Sequence, residues 1–472
     1  MTYPFNKIYQ RSRIGRRAIY PNIADTSNLS ILGGESKPFT GKFAMDDIII
    51  APPQFTPLRL QKSIELIYRE PIFTDVNTII DIGGFKTTLP LVQSSMGSPE
   101  DWNKVAIYSA IACANEGLIY GIGENVASTW GYDMRKEKNQ PCLLERIHTY
   151  LNNRIDGYGG IVIQQNEEDA HDELWNKLYS DPSLNEAIQA GLIAFEIKAG
   201  QGAKAGLGGE KIIDAKTAIR MKQNGYTIIP DPELVIQDHY ERHSAPDIFT
   251  YEILKNRIKK LQNDYPRVKI WLKTGPYRDL LEVIQLASET GIDCISIDSK
   301  EGGTGMAPSV ALQHIGISMI SCLQKIRWAR SKGISTSILI SGKLTDGSDL
   351  VKSMSLGASG IAMGRPFLIA AYSYPLADKF IGNELYRSRI IKKIATFLHP
   401  VSQKSVKLIR NFIETVKIET QLIVSSLGKY HIRDVSDEDI LASNNELSSI
   451  LQIYSAYSSR KDEFIQKQKA VN

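Results

Sequence analysis

Short apolar runs alternate with longer amphipathic stretches along most of this chain. From Leu89 onward, eight runs of strand length recur: Leu89–Ser94, Leu118–Ile122, Gly160–Gln164, Leu192–Lys198, Val268–Lys273, Cys294–Ile297, Ser337–Ile340 and Gly360–Met363. Short apolar strands separated by amphipathic stretches imply parallel strands with helical crossovers, the pattern of an α/β domain. Eight strands are the count of a TIM (β/α)8 barrel. An open doubly wound sheet is the rival architecture, but no GxGxxG follows the first strand, so the dinucleotide-binding fingerprint is missing.

The flanks read differently. Asp46 to Phe55 suggests a short buried strand ended by Pro52-Pro53. Val76–Ile82 and Phe85–Leu89 bracket Gly83-Gly84, the pattern of a hairpin with a glycine turn. After Arg365 the periodicity becomes helical through Leu408–Leu427, with Leu427-Gly428 as the stop. The expected division is an N-terminal arm and barrel cap over 1–88, the barrel over 89–375 and a C-terminal helical extension over 376–472, whose charged last residues, Ser458 to Asn472, are peripheral.

Composition narrows the class. A chain of 472 residues fits one barrel with insertions, and 42% hydrophobic with 23% charged residues excludes disorder of the whole. The formal net charge of +4 gives no reason to expect nucleic acid or a membrane as partner. No stretch approaches the about 18 uninterrupted apolar residues of a membrane span, and no signal-peptide core opens the chain, so a cytoplasmic location is expected. Lys7, Arg11, Arg13, Arg16 and Arg17 precede the first acid, Asp25. We expect a solvated extension there, with a transit segment or an anion-binding arm as alternatives. Cys113, Cys142, Cys294 and Cys322 are far apart, which suggests buried free thiols and no metal site.

Chemistry is sought in the loops after the strands, where barrels carry their active sites. Glu301-Gly302-Gly303-Thr304-Gly305 follows the sixth strand, Ser341-Gly342-Lys343 the seventh and Gly364-Arg365 the eighth. Any one of these is as readily a tight turn; the three in order point to a phosphorylated cofactor held by backbone N–H groups. After the fourth strand stands IKAGQGAKAGLGGE, with Lys198, Gln201 and Lys204 suited to anionic oxygens. A solvated basic loop is the bland alternative, but Lys198 ends an apolar strand, where an unpaired ammonium is costly to bury. Glu124 after the second strand and Lys273 at the end of the fifth can face the same mouth.

At these residues the sequence resembles a known family: IKAGQGAKAGLGG, EGGTGMAP, the SGK turn and MGRPFLIA are similar to motifs of the FMN-binding synthase domain of glutamate synthases, in the family's order. The resemblance runs from about Asp46 to Phe367 and more weakly through RNFIETVKIETQLIVSSLG, closest to the compact prokaryotic form. It implies that Lys198, Gln201 and Lys204 contact flavin and the carboxylates of a 2-oxo acid. Arg220 is a further substrate-binding match, although the loop before it is shorter than the family's. Lys273 would lie beside the flavin, Met96 (with Ser95) and Glu124 at its reactive face. Gly302, Gly303, Thr304, Ser341, Gly342, Lys343, Gly364 and Arg365 would cradle its phosphate.

Departures from the family matter too. The chain begins Met1-Thr2 without the family's catalytic cysteine, so glutamine hydrolysis is not expected. No cysteine follows Cys322, so no iron–sulfur cluster is expected and electrons must come from a separate donor or acceptor protein. The resemblance therefore implies an FMN-dependent oxidoreductase of the CH-NH2 class, reducing an imine of a 2-oxo acid or running in reverse, with Glu124, Lys198 and Lys204 as catalytic residues. The alternatives are a flavin-free barrel lyase in which Lys198 or Lys273 forms a Schiff base with a carbonyl substrate and an FMN-binding subunit of a larger amino-acid-metabolising complex.

Overall fold

The computed structural model describes residues 5–15, 42–54, 70–166, 173–208, 211–223, 226–243, 249–302, 311, 314–373 and 402–457. Helix α1 (Phe5–Ile14), strand β1 (Ile48–Ile50) and a hairpin of β2 (Ile80–Ile82) and β3 (Phe85–Thr87) precede the barrel. Its first half runs β4 (Leu91–Met96), α2 (Glu100–Asn115), β5 (Ile119–Ile122), α3 (Leu143–Asn153), β6 (Gly160–Gln165) and β7 (Ile193–Ala199). An excursion of β8 (Lys211–Asp214), α4 (Ala215–Gln223), β9 (Thr227–Ile229) and β10 (His239–His243) follows. The second half is α5 (Tyr251–Asp264), β11 (Lys269–Thr274), α6 (Leu280–Glu289), β12 (Cys294–Asp298), α7 (Met319–Ser331), β13 (Ser337–Ser341), α8 (Gly347–Ser355), β14 (Gly360–Met363) and α9 (Arg365–Ala371). Helix α10 (Gln403–Ser426) and strand β15 (Ile440–Ala442) complete the described chain.

Eight parallel strands close in the order β4-β5-β6-β7-β11-β12-β13-β14, and β14 pairs with β4. Each predicted barrel strand is present; the largest displacement is Leu91–Met96 in place of Leu89–Ser94. One inward residue from each strand, Val92, Ile119, Val162, Ala194, Trp271, Cys294, Leu339 and Ala362, forms a buried cluster with Ile82 and Phe85 of the hairpin. The hairpin is therefore a plug, and it sits where the strands begin. The Gly83 N–H donates to Ser337 Oγ at 2.9 Å, at the first residue of β13, and Trp271 Nε1 donates to the Gly83 carbonyl at 3.1 Å. Gly83 has φ +53, and a Cβ there would lie 2.5 Å from the Trp271 ring, so only glycine fits this turn. With one end closed, the C-terminal ends of the strands are the mouth.

The N-terminal arm is not a solvated extension over residues 5–15. Ile8, Tyr9 and Ser12 of α1 are buried, and the helix packs against α10 and α9. Arg11 pairs with Glu419 and Lys7 with Asp346, so the arm's cations meet acids supplied from far along the chain. A charge count along the sequence cannot see those partners. Arg16 and Arg17 lie outside the described residues, as does Ser458 to Asn472. β1 differs from expectation as well: Ile48 is buried but Ile49 is exposed, and the strand pairs antiparallel with β15 of the C-terminal extension. The hairpin and α10 are as expected, the helix seating Ile409, Phe412, Ile413 and Val416 at three- and four-residue spacing.

Two substitutions test this architecture. Gly83→Ala should destabilise the chain by more than about 1 kcal/mol, since it combines positive φ with a clash against Trp271. Ile8→Ala should cost about 2–5 kcal/mol if α1 is packed in solution. Denaturant titration reads both, and an Ile8→Ala midpoint equal to that of the unmodified chain would show α1 to be undocked.

Candidate functional site

Side chains alternate across a strand, so two residues beyond the plug layer the same inner face presents Gly121, Gln164, Glu196, Lys273, Ser296 and Ser341. The barrel interior thus changes from apolar to polar in one step. Glu196 is the centre of the polar layer: it is buried, and its Oε2 accepts from Ser95 Oγ at 2.8 Å and from Gln164 Nε2 at 2.6 Å. A register irregularity in β4 between Gln93 and Met96 accompanies the contact of Ser95 with it. Burial pushes the Glu196 carboxyl above its usual range, offset in part by the Lys273 charge and the two hydrogen bonds.

One further step along β7, Lys198 donates from Nζ to Glu124 Oε1 at 2.6 Å; the side chains are 3% and 17% exposed. Burial alone would raise the Glu124 carboxyl, but the attraction and hydrogen bond of Lys198, with Lys204 behind them, bring it down to about 2. Lys204 is buried at the end of the turn Gly202–Lys204, which lies against the turn Lys300–Gly302. Tyr277, in the loop after β11, supports this segment: Gly206 N–H donates to its hydroxyl at 3.4 Å, and a Cβ at Gly200 would lie 2.6 Å from the same oxygen.

The glycine turns meet one another around the rim. A Cβ at Gly342, where φ is +139, would fall 2.0 Å from Ser299 Oγ and 3.2 Å from Gly302 N. At Gly364 it would touch Met96 Sδ, and at Gly97 the Glu124 side chain. These contacts link the loops after β12 and β13, and those after β14, β4 and β5, into two stretches of one rim that the Arg365 charge acting on Lys343 brings together. Within it the Lys343 ammonium is buried without a hydrogen-bond acceptor among the described residues. Burial draws its pKa below the usual lysine range, Glu301 opposes that, and the Arg365 charge lowers it further. Two cations held close together beside glycine turns suit an anionic group such as phosphate.

The structure thus gathers Ser95, Met96, Glu124, Lys198, Gln201, Lys204, Lys273, Gly302, Ser341, Gly342, Lys343, Gly364 and Arg365 at the strand ends. Gly303 and Thr304 lie outside the described residues. Arg220 stands on α4 in the excursion, more than half exposed, 3.8 Å from Glu137 of the loop after β5. Glu196, Gln164 and Tyr277 were missed, although counting back two residues from Lys198 identifies Glu196 as facing the same way.

Residues 185–374 match the conserved region in glutamate synthase. A glutamate synthase large subunit-like protein of Rhizobium meliloti is 25% identical over 325 residues, 63% of this chain and 70% of that protein. An archaeal-type glutamate synthase [NADPH] of Dehalococcoides mccartyi is 31% identical over 195 residues, 39% of this chain and 36% of the relative, so the match spans little more than a third of that enzyme. A solved flavocytochrome b2 double mutant with sulfite bound aligns at TM-score 0.49 and 14% identity, over 88% of this chain and 83% of that one, and adds nothing to the barrel described above. The matched segment holds Lys198, Lys204, Lys273 and the glycine turns of the last three strands, so the likeness to the conserved region in glutamate synthase falls on the part of the barrel that carries the site.

Proposed function

We propose that the chain is an FMN-dependent oxidoreductase that reduces the imine of a 2-oxo acid to an amino acid, supplied with electrons by a separate protein. The observation that carries the reading is the rim itself. Glycine turns after β12, β13 and β14 come together beside Lys343, whose buried ammonium finds no acceptor among the described residues, and beside Arg365. That donor set fits the phosphate of FMN, with Gly302, Gly342 and Gly364 leaving the backbone close to it. Bound there, FMN supplies hydride-transfer chemistry.

The protein's own residues orient the substrate and manage a proton. Lys204 and Gln201 hold the carboxylates, and Lys198 links substrate and cofactor while keeping Glu124 charged. Glu124 is then poised beside the imine nitrogen, where a proton must be exchanged within hydrogen-bond reach. Arg220 has no part in this reading. A Schiff base at Lys198 is disfavoured because this lysine, bonded to Glu124 at 2.6 Å, is held as an ammonium, and the nucleophile in such chemistry is the free amine. Neither a cluster nor glutamine hydrolysis enters the proposal.

The purified protein should be yellow and release FMN on denaturation. Lys343→Met should lower FMN content. Lys204→Ala should retain FMN yet lose about 2–5 kcal/mol of substrate affinity, read from flavin reoxidation by candidate 2-oxo acids plus ammonia. A colourless protein that takes up no FMN overturns the reading.

The ion pair makes a separate prediction about pH. Glu124 is depressed from 4.5 to about 2 in the folded chain, so its stabilisation is present above the ordinary carboxylate range and is lost as pH falls from 4.5 towards 2. Lys198→Met leaves the carboxylate buried without its main partner, costing about 3–5 kcal/mol at neutral pH. Glu124 should then titrate above its usual range, and the sign reverses: its contribution is retained at acid pH and lost as pH rises. The difference in denaturation midpoint between the two proteins should therefore narrow from pH 7 to pH 5. A constant difference would show that Lys198 does not set the charge of Glu124.

A further inference from the structure

On the outer side of the barrel wall lies a charge that the surrounding described residues do not answer. Arg146, in the first half of α3, has 0% of its surface exposed, and among the described residues none of its Nε, Nη1 and Nη2 atoms finds a hydrogen-bond acceptor. The groups that act on it electrostatically are Tyr120 and Cys142, and no carboxylate is among them. Burial lowers the guanidinium to about 10, which leaves it charged at neutral pH.

Its surroundings are closed to solvent. The Tyr120 hydroxyl donates to the Ala106 carbonyl at 3.0 Å, and the Tyr120 and Tyr150 rings stack with centroids 5.8 Å apart. Asn103 Nδ2 donates to Gln140 Oε1 at 2.6 Å, while Asn103 Oδ1 and Trp102 Nε1, also on α2, lack partners among the described residues. The start of α3 is already satisfied, since Leu143 and Leu144 N–H groups donate to the carbonyls of Gly131 and Tyr132. Arg146 itself, not the helix end, is the unanswered donor.

An ionised guanidinium without a counter-charge costs several kcal/mol inside a protein, and arginine cannot escape that cost by losing its proton. We propose that α2, α3 and β5 enclose a structural site for one small monovalent anion of chloride size and charge, held by the Arg146 guanidinium. The charge is one because a single cation is present. The ion is small because Arg146 and Tyr120, which acts on it, are both fully buried, leaving no path for an extended ligand to reach solvent. This inference is independent of the flavin reading. The rival is a buried water bonded to Arg146, which would satisfy hydrogen bonds but leave the charge unbalanced.

The test compares the full chain with Arg146→Met, which keeps the side chain's length and removes its charge. Melting temperatures are measured as bromide replaces gluconate at constant ionic strength. The unmodified chain should gain about 2–4 °C as bromide rises from about 1 to 300 mM, by the mass action of an ion that binds only the folded state. Arg146→Met should show no such gain, and in bromide-free buffer it should be at least as stable as the unmodified chain, because an isolated buried charge has gone. Anomalous diffraction from bromide-soaked crystals of the unmodified chain should place a bromide in contact with the guanidinium, a measurement that stands even if the variant does not fold. Equal bromide responses in the two proteins, or a site beside Arg146 without anomalous signal, would overturn the proposal in favour of water.

Discussion

The apolar plug at the strand-start end is the constraint on which the mouth depends. Ile82 and Phe85 pack against one side chain from every barrel strand, and the Gly83 turn is bonded to Ser337 and Trp271. A barrel of eight strands has an interior that side chains must fill. Because the hairpin and the first inner layer fill it at one end with hydrocarbon, the next inner layer can be polar without exposing a water-filled channel. Gln164, Glu196 and Lys273 stand directly on that floor, where the dielectric is low and electrostatic contacts are strong. Trp271 and Lys273 show the coupling in two residues of one strand: the first closes the floor, the second belongs to the polar layer.

Low dielectric also explains why the charges at the mouth come in opposed groups. Lys198 and Glu124 bond directly, and Lys273 lies close enough to Glu196 to offset part of its burial. Lys343 and Arg365 add like charges near each other at the glycine rim, with Glu301 as the acid that acts on Lys343. Barrels commonly bind phosphate at this position, after strands seven and eight. The mouth thus carries directly paired charges over the floor and a second cluster with two cations at the rim.

The outer shell is tied together by segments far apart in sequence. β1 pairs with β15, and α1 lies on α9 and α10 with Arg11 bonded to Glu419. Glu419 also accepts from the Gly347 N–H at 3.0 Å, at the start of α8, so one carboxylate joins the N-terminal helix, the long C-terminal helix and the barrel's outer layer. The extensions therefore brace the side of the barrel that carries the last two strands and their glycine turns.

The sequence by itself determined the eight barrel strands, the glycine hairpin, the long helix near the C-terminus and most of the residues at the mouth. These are local properties: a strand's apolar run, a turn's glycines and a lysine at a strand end are each written within a few residues, and barrel topology places every strand end on one face. What only the tertiary structure decided were relations across the chain. The partner of Lys198 is 74 residues away, the acid for Arg11 is 408 residues away, and the hairpin's role as a plug needs all eight strands at once. Arg220 was not placed by the sequence: it stands exposed on an excursion whose antiparallel sheet, β8-β10-β9, left no strong period in the sequence. Periodicity reports which face of an element is buried, but the choice of a charged partner follows from distance and dielectric in the folded chain, and neither is fixed until the strands have closed.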